Sequence, residues 1–165
     1  RYRSQYWSVY GDEAYYTSDG AIWWDESGNI RLTGRVDDVM KVAGHRMSTA
    51  EVENALTQHP SVAECAVVAA PHDIKGEVPV AFVVLRQGQT PSKDLETELT
   101  QQVVKSIGPT AKPGKIVLTD ALPKTRSGKI MRRILKAIVK GESVGDVTTL
   151  MNPEAVQDLK EKLEQ

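Results

Sequence analysis

Cysteine is almost absent from this chain of 165 residues: Cys65 stands alone. One thiol supports no disulfide framework, so a reducing compartment, the cytoplasm, is the expected setting. Cys65 lies in the apolar stretch 62–70 and reads as a small buried hydrophobe. Long apolar runs are missing too. The longest, at residues 65–70 and 80–85, are far short of the roughly 20 residues that cross a bilayer, so no membrane association is expected. The opening residues Arg1-Tyr2-Arg3-Ser4 carry neither an apolar h-region nor a starting Met. They read as a point inside a longer protein, not as a signal peptide. Phenylalanine occurs once, as Phe82, whereas all five tyrosines and all three tryptophans fall in the first 24 residues. Aromatic strands with no large partner sheet suggest the trailing edge of a preceding domain, over residues 1–36.

What is present is an ordinary globular composition, 40% apolar and 26% charged, which argues against disorder. The net charge of -1 hides an asymmetry. Residues 112–140 hold nine basic side chains and one acid, Asp120; the remainder holds twelve basic and twenty-one acidic. A basic segment on an acidic background suits a polyanionic small molecule, a nucleic acid, or a solvated helix face. The isoelectric point of about 6.4 argues against nucleic acid, whose binding domains usually lie above about 9.

Residues 21–24 and 30–33 flank Asp25-Glu26-Ser27-Gly28-Asn29 and predict a β-hairpin. From Asp37 a second unit begins, with short strands at 39–42 and 45–47 around a turn at Ala43-Gly44. Ser48 and Glu51 form a capping box, Ser48 accepting from the Glu51 amide, for a helix with Val52, Ala55 and Leu56 inward. Runs 62–70 and 78–85 predict strands. Leu95, Leu99, Val103 and Ile107 predict a helix closed by Gly108-Pro109. A strand at 116–118 and a helix over 130–138 follow, the latter with Ile130, Ile134 and Ile138 inward and Arg132, Arg133, Lys136 and Lys140 largely outward. Asn152 as cap and Pro153 at the first position open a last helix over 151–165. The order β-β-α-β-β-α-β-α predicts an α+β fold, a small mixed sheet with flanking helices, over residues 37–150.

The strongest chemical signal is Pro123-Lys124-Thr125-Arg126-Ser127-Gly128-Lys129-Ile130-Met131-Arg132-Arg133. A loop of small residues projects Lys129, whose ammonium can meet phosphate or carboxylate oxygens. A P-loop is excluded, because Pro123 stands where its first glycine belongs and Ile130 where Ser or Thr must bind magnesium. Two further segments stand upstream. Tyr16-Thr17-Ser18-Asp19-Gly20 is one; Thr33-Gly34-Arg35-Val36-Asp37-Asp38, followed by Gly44-His45-Arg46, is the other.

Taken in order, these segments resemble the motif series of adenylate-forming enzymes: acyl-CoA synthetases, luciferases and peptide-synthetase adenylation domains. The likeness spans residues 16–150. With Ile130-Met131-Arg132-Arg133 after Lys129 and Gly145 to Leu150 further on, it is most similar to the acetyl- and propionyl-CoA synthetases. The resemblance implies that this is a C-terminal portion working with its own large N-terminal domain on ATP, Mg2+, CoA and acetate. Asp19 would hold the ribose hydroxyls of ATP, Arg35 the nucleotide, and Arg46 its phosphates. Asp37 would be the hinge, and Lys129 the catalytic cation of adenylation. Ala43 and Gly44 would then meet CoA, Gly44 leaving room for the pantetheine arm. Lys129 would also be a site of reversible acetylation by a protein acetyltransferase and deacetylase.

Ser18 stands where many members have glycine. Val104 stands where acetyl-CoA synthetases carry a cation for the CoA 3′-phosphate, so that either Lys105 substitutes or the contact is lost. Carbonyls of Thr57, His59 and Val62 would hold a metal ion, against the plainer reading of His59-Pro60 as a helix stop. Another carboxylic acid, or a carrier protein in place of CoA, fits the same motifs.

Overall fold

The computed structural model describes residues 2–23 and 26–164. Trp24 and Asp25, which fall in the expected hairpin and its turn, lie outside the described residues, as does the side chain of Asp37. The chain divides into two compact units, Arg1–Val39 and Met40–Gln165.

In the first unit, helix α1 (Tyr2–Tyr6) precedes a hairpin of β1 (Asp19–Trp23) and β2 (Ile30–Arg35), and a 3-10 turn covers Val36–Asp38. A five-residue helix is too short to persist by itself. Here its tyrosines join a ring cluster: Tyr6 stacks on Tyr15 at 4.8 Å between centroids, and Trp7 meets Tyr15 edge-on at 5.7 Å. Composition alone gives no hint of this helix. The antiparallel hairpin runs further than its apolar stretch, pairing Asp19 with Arg35.

The second unit is built on one long hairpin, β5 (Val62–His72) and β6 (Gly76–Leu85), paired antiparallel along their length. Strands β3 (Val39–Val42) and β4 (His45–Ser48) extend the sheet beside the start of β6, through Val42 opposite Gly76. Strand β7 (Lys115–Thr119) runs parallel to β6 further along. Parallel neighbours need a crossover, and helix α3 (Lys93–Ser106) supplies it.

Helices cover both faces. Val62, Cys65 and Val67 of β5, with Ala81 and Val83 of β6, pack with residues of α2 (Thr49–Thr57) and α3. The alternate positions Ala66, Val68, Val80 and Phe82 pack with α4 (Arg132–Val139) and α5 (Glu154–Glu164). Strand side chains alternate faces, so burial on both sides makes these strands read as unbroken apolar runs. The expected α+β class is the class observed. Burial, with the nearby Glu53 carboxylate adding to it, pushes the Cys65 thiol up to about 12, as its reading as an inert core residue requires.

Four local expectations need correction. Ser48 caps α2 by accepting from the Ala50 amide at 3.2 Å, one residue short of a capping box. Ile107 ends α3 at the surface because the helix stops at Ser106, before another turn could bring it inward. Helix α4 begins only at Arg132, since Ile130 is spent in a β-bridge to Lys124. Asn152 does not spend its side chain on α5: the oxygen accepts from the Lys124 amide and the nitrogen donates to the Leu122 carbonyl.

Gly114 shows how closely β7 seats on the sheet. Its amide donates to Pro79 at 2.8 Å, and an added Cβ would lie 2.8 Å from Val78 Cγ2. Val78 is a buried, stiff β-branched side chain with little room to give. Gly114→Ala is therefore expected to destabilise the chain by about 1–3 kcal/mol, read as a lowered Tm; an unchanged Tm would contradict this packing.

Candidate functional site

The Lys129 loop is a small, internally bonded hairpin. Lys124 bridges Ile130, and the Thr125 amide donates to the Lys129 carbonyl at 2.9 Å. Inside it, Gly128 donates to the Thr125 carbonyl at 2.9 Å, and the Lys129 amide donates to Thr125 Oγ1 at 3.1 Å. Gly128 takes φ +80, which is why glycine stands there. At this tip Lys129 is exposed, and its ammonium has no partner among the described residues.

Both stems of the loop are tied down. Lys124 Nζ meets Glu64 at 2.7 Å, at the start of β5. On the other side, Arg132 does not point outward as its spacing suggests: Nη2 donates to both oxygens of Glu53, at 2.8 and 2.7 Å. Spacing did carry a signal for Glu53, because Thr49, Glu53 and Leu56 share one helix stripe and a carboxylate there needs a cation.

The Ala43-Gly44 turn is the two-residue loop of the β3–β4 hairpin. Both residues have positive φ, +49 and +83, the primed turn that suits the strand twist. Ala43 donates its amide to the Lys75 carbonyl at 2.9 Å, and the Lys41 amide donates to Glu77 at 2.6 Å. Thus the turn is seated on the tip of the β5–β6 hairpin. A Cβ added to Gly44 would meet nothing within 4 Å, so the backbone there faces open space. Arg46 lies exposed two residues on, in β4.

These two motifs are held apart. The turn sits beside Gly76, where β6 starts; Lys124 is bound to Glu64, which pairs with Val84 near the end of β6. From Gly76 to Val84 an extended strand covers roughly 26 Å. Lys129 therefore belongs to one end of this unit and Ala43-Gly44 to the other. Lys105 lies in the last turn of the crossover helix, toward the end at which β7 begins. Val104 lines an open cleft of about 1000 Å³ between α3 and β7, while the exposed Lys105 is not part of that wall.

In the first unit the hairpin register brings Asp19 and Arg35 together, with Arg35 Nη1 3.9 Å from an Asp19 oxygen, both half-exposed. Ser18 has φ +65, and its carbonyl accepts from Val36 at 2.8 Å. The position thus demands the left-handed region that glycine fills at lower cost. Asp37 lies in the 3-10 turn that follows.

At the end of α2, the His59 carbonyl accepts from the Val62 amide at 3.0 Å, and the Thr57 hydroxyl donates back to Glu53 and Asn54. These are the bonds of a terminating helix. Among the described residues no group of three or more His, Cys, Asp or Glu side chains could hold a metal.

A profile of the AMP-binding enzyme C-terminal domain matches residues 51–129. An acetyl-coenzyme A synthetase of Pyrobaculum arsenaticum is 52% identical over 165 residues, covering 100% of this chain and 24% of that protein. One from Rubrobacter xylanophilus is 51% identical over 164 residues, 99% of this chain and 25% of that protein. The chain thus spans about a quarter of the length of these relatives and aligns with their C-terminal portion. Among solved structures, the ATP-bound RpMatB-BxBclM chimera B1 superposes with a TM-score of 0.73 at 30% identity, over 81% of this chain and 26% of that one. The anthranilate CoA ligase AuaEII, in complex with anthranoyl-AMP, gives a TM-score of 0.70 at 37% identity, over 78% and 25%.

Ala43 is a non-glycine residue in the left-handed region, a cost of about 1–2 kcal/mol. Ala43→Gly is expected to recover part of it, net of the entropy glycine adds to the unfolded chain, and to raise Tm. A lowered Tm would show that the turn is not strained.

Proposed function

We propose, on the match of residues 51–129 to the AMP-binding enzyme C-terminal domain, that this chain is the mobile C-terminal part of an AMP-forming acetate:CoA ligase of the cytoplasm. Residues 1–36 are then the trailing edge of the large N-terminal domain, and Asp37 is the hinge. The observation that carries the reading is the placement of Lys129 and Ala43-Gly44 at opposite ends of one hairpin.

The reaction has two halves with different needs. In the first, a carboxylate oxygen of acetate attacks the α-phosphorus of ATP, and pyrophosphate leaves with the electron pair of the broken P–O bond. Two anions approach each other, so a positioned cation lowers the barrier. Lys129 supplies it, bridging the carboxylate and the α-phosphate. Its exposed, unpaired ammonium on a stiff loop suits that task. Asp19 takes the ribose hydroxyls, and Arg35 and Arg46 hold the nucleotide and its phosphates. Mg2+ enters with ATP as part of the substrate. The carbonyls of Thr57, His59 and Val62 offer no carboxylate for a divalent ion.

In the second half, the CoA sulfur gives up its proton and attacks the acyl carbon, and AMP leaves. A thiol must now reach the carbon that Lys129 faced. One rigid body cannot present both ends to one site, so it turns about Asp37. Lys129 withdraws and Ala43-Gly44 arrives. Gly44 leaves its backbone open to the pantetheine arm, and Lys105 is the cation for the CoA phosphate. Acetylation of Lys129 by a protein acetyltransferase would delete its charge and stop the first half only, until a deacetylase restored it.

The expected result in a full-length synthetase carrying this chain is that Lys129→Ala loses acetate-dependent ATP–pyrophosphate exchange by about 100-fold or more. Conversion of supplied acetyl-adenylate and CoA to acetyl-CoA should survive. Retained exchange would refute the role of Lys129. The 165 residues alone should make no acetyl-CoA.

A further inference from the structure

We propose that Glu53 and Arg132 are positioning residues for Lys129, holding the start of α4 so that the lysine loop projects at a set height and angle. The inference rests on the reading of Lys129 as the adenylation cation.

The loop enters at Lys124 and leaves at Arg132, with only Ile130 and Met131 between Lys129 and α4. Its entry is fixed several times over, by the Lys124–Glu64 pair, by Asn152 on the Lys124 amide, and by the bridge between Thr125 and Leu150. Its exit is held on the loop side by the Ile130 bridge and by the Met131 amide, which donates to the Pro123 carbonyl at 2.8 Å, and the helix that follows adds little of its own. Met131, at the N-cap of α4, provides no side-chain cap, and the first turn of α4 carries no acidic residue. A helix start of this kind relies on partners outside the helix.

Glu53 supplies what is missing from outside. It belongs to α2, 79 residues before Arg132 in sequence. The Oε1 atom that accepts from Arg132 also accepts from the Val67 amide of β5 at 2.8 Å. One carboxylate therefore joins α2, the central hairpin and the first residue of α4. The Glu53 side chain is 15% exposed and that of Arg132 32%.

A partly buried ion pair is a poor way to gain stability, because apolar side chains of similar volume do as well or better. The pair is also imperfect: Arg132 Nε is buried without a partner among the described residues. Direction is what it adds. Apolar packing by Ile134, Leu135 and Ile138 holds α4 to the sheet, and Arg133 anchors it to the Val144 and Asp146 carbonyls of the segment that follows. The Glu53 bond ties the first residue of α4 to α2 and the central hairpin, and Lys129 lies three residues upstream.

The test uses the full-length synthetase with Glu53→Gln, which keeps an acceptor for Val67 and loses the charge. Arg132→Lys, which keeps the charge and loses the planar donors, is read in the same way should the first variant not accumulate. Lys129→Ala runs alongside. The expected result is a roughly tenfold to hundredfold fall in kcat for ATP–pyrophosphate exchange, the scale of a displacement of about 1 Å at a reacting group. KM for ATP and acetate, and thioester formation from supplied acetyl-adenylate, should change little. Unchanged exchange would overturn the proposal. So would an equal fall in both half-reactions, which would mean that the pair only holds the unit together. Should Lys129→Ala itself keep exchange, the reading of Lys129 has failed and this inference falls with it.

Discussion

Burial of both faces of the β5–β6 hairpin is the constraint on which the rest of this structure depends. Val67 and Val83 look toward α2 and α3, Val68 and Phe82 toward α4 and α5, so the hairpin cannot bend or slip register without opening two cores at once. It therefore acts as a ruler. Val42 pairs at one end, opposite Gly76, and Glu64 anchors Lys124 near the other. A glycine-containing turn and a lysine loop fixed to the two ends of such a body cannot enter one site together.

Charge is organised by the same economy. The cluster of cations between residues 112 and 140 suggests a basic patch, yet much of it is spent inside the unit. Lys115 donates to the Leu163 carbonyl, Lys124 pairs with Glu64, and Arg132 pairs with Glu53. Arg133 donates to the carbonyls of Val144 and Asp146 at 2.7 and 2.8 Å. What remains at the loop tip is Arg126 and Lys129, which have no side-chain partner among the described residues. A single projecting ammonium suits a small anion better than a polymer backbone, whose binding needs many such charges in register.

The parts of the fold legible from sequence are those set by short-range spacing. Leu95, Leu99 and Val103 mark α3 because they share one face and are all buried. The strands at 62–72 and 76–85 show as apolar runs because both of their faces are inside. Spacing fails where a partner distant in sequence decides. Arg132 reads as an outward cation because Glu53, which claims it, lies on another helix. Asn152 reads as a helix cap because its true partners, Leu122 and Lys124, stand about thirty residues earlier. Among the site residues, the departure of Ser18 from glycine is legible in the sequence, but the left-handed conformation it occupies, φ +65, shows only in the structure. The pairing of Asp19 with Arg35 is hidden, because hairpin register is set by a turn whose chemistry does not specify it uniquely.

Whether one rigid unit offers its two ends in turn is tested most directly by spin labels in a full-length synthetase carrying this chain, at Arg126 beside the lysine loop and at the exposed Ile74 beside the Ala43-Gly44 turn. Each is measured against a fixed label near the acid site of the large domain, with an acyl-adenylate analogue bound and CoA then added. Opposite changes are expected on adding CoA: the Arg126 distance lengthens and the Ile74 distance shortens. If both distances hold, or both move in the same sense, the unit does not exchange its ends.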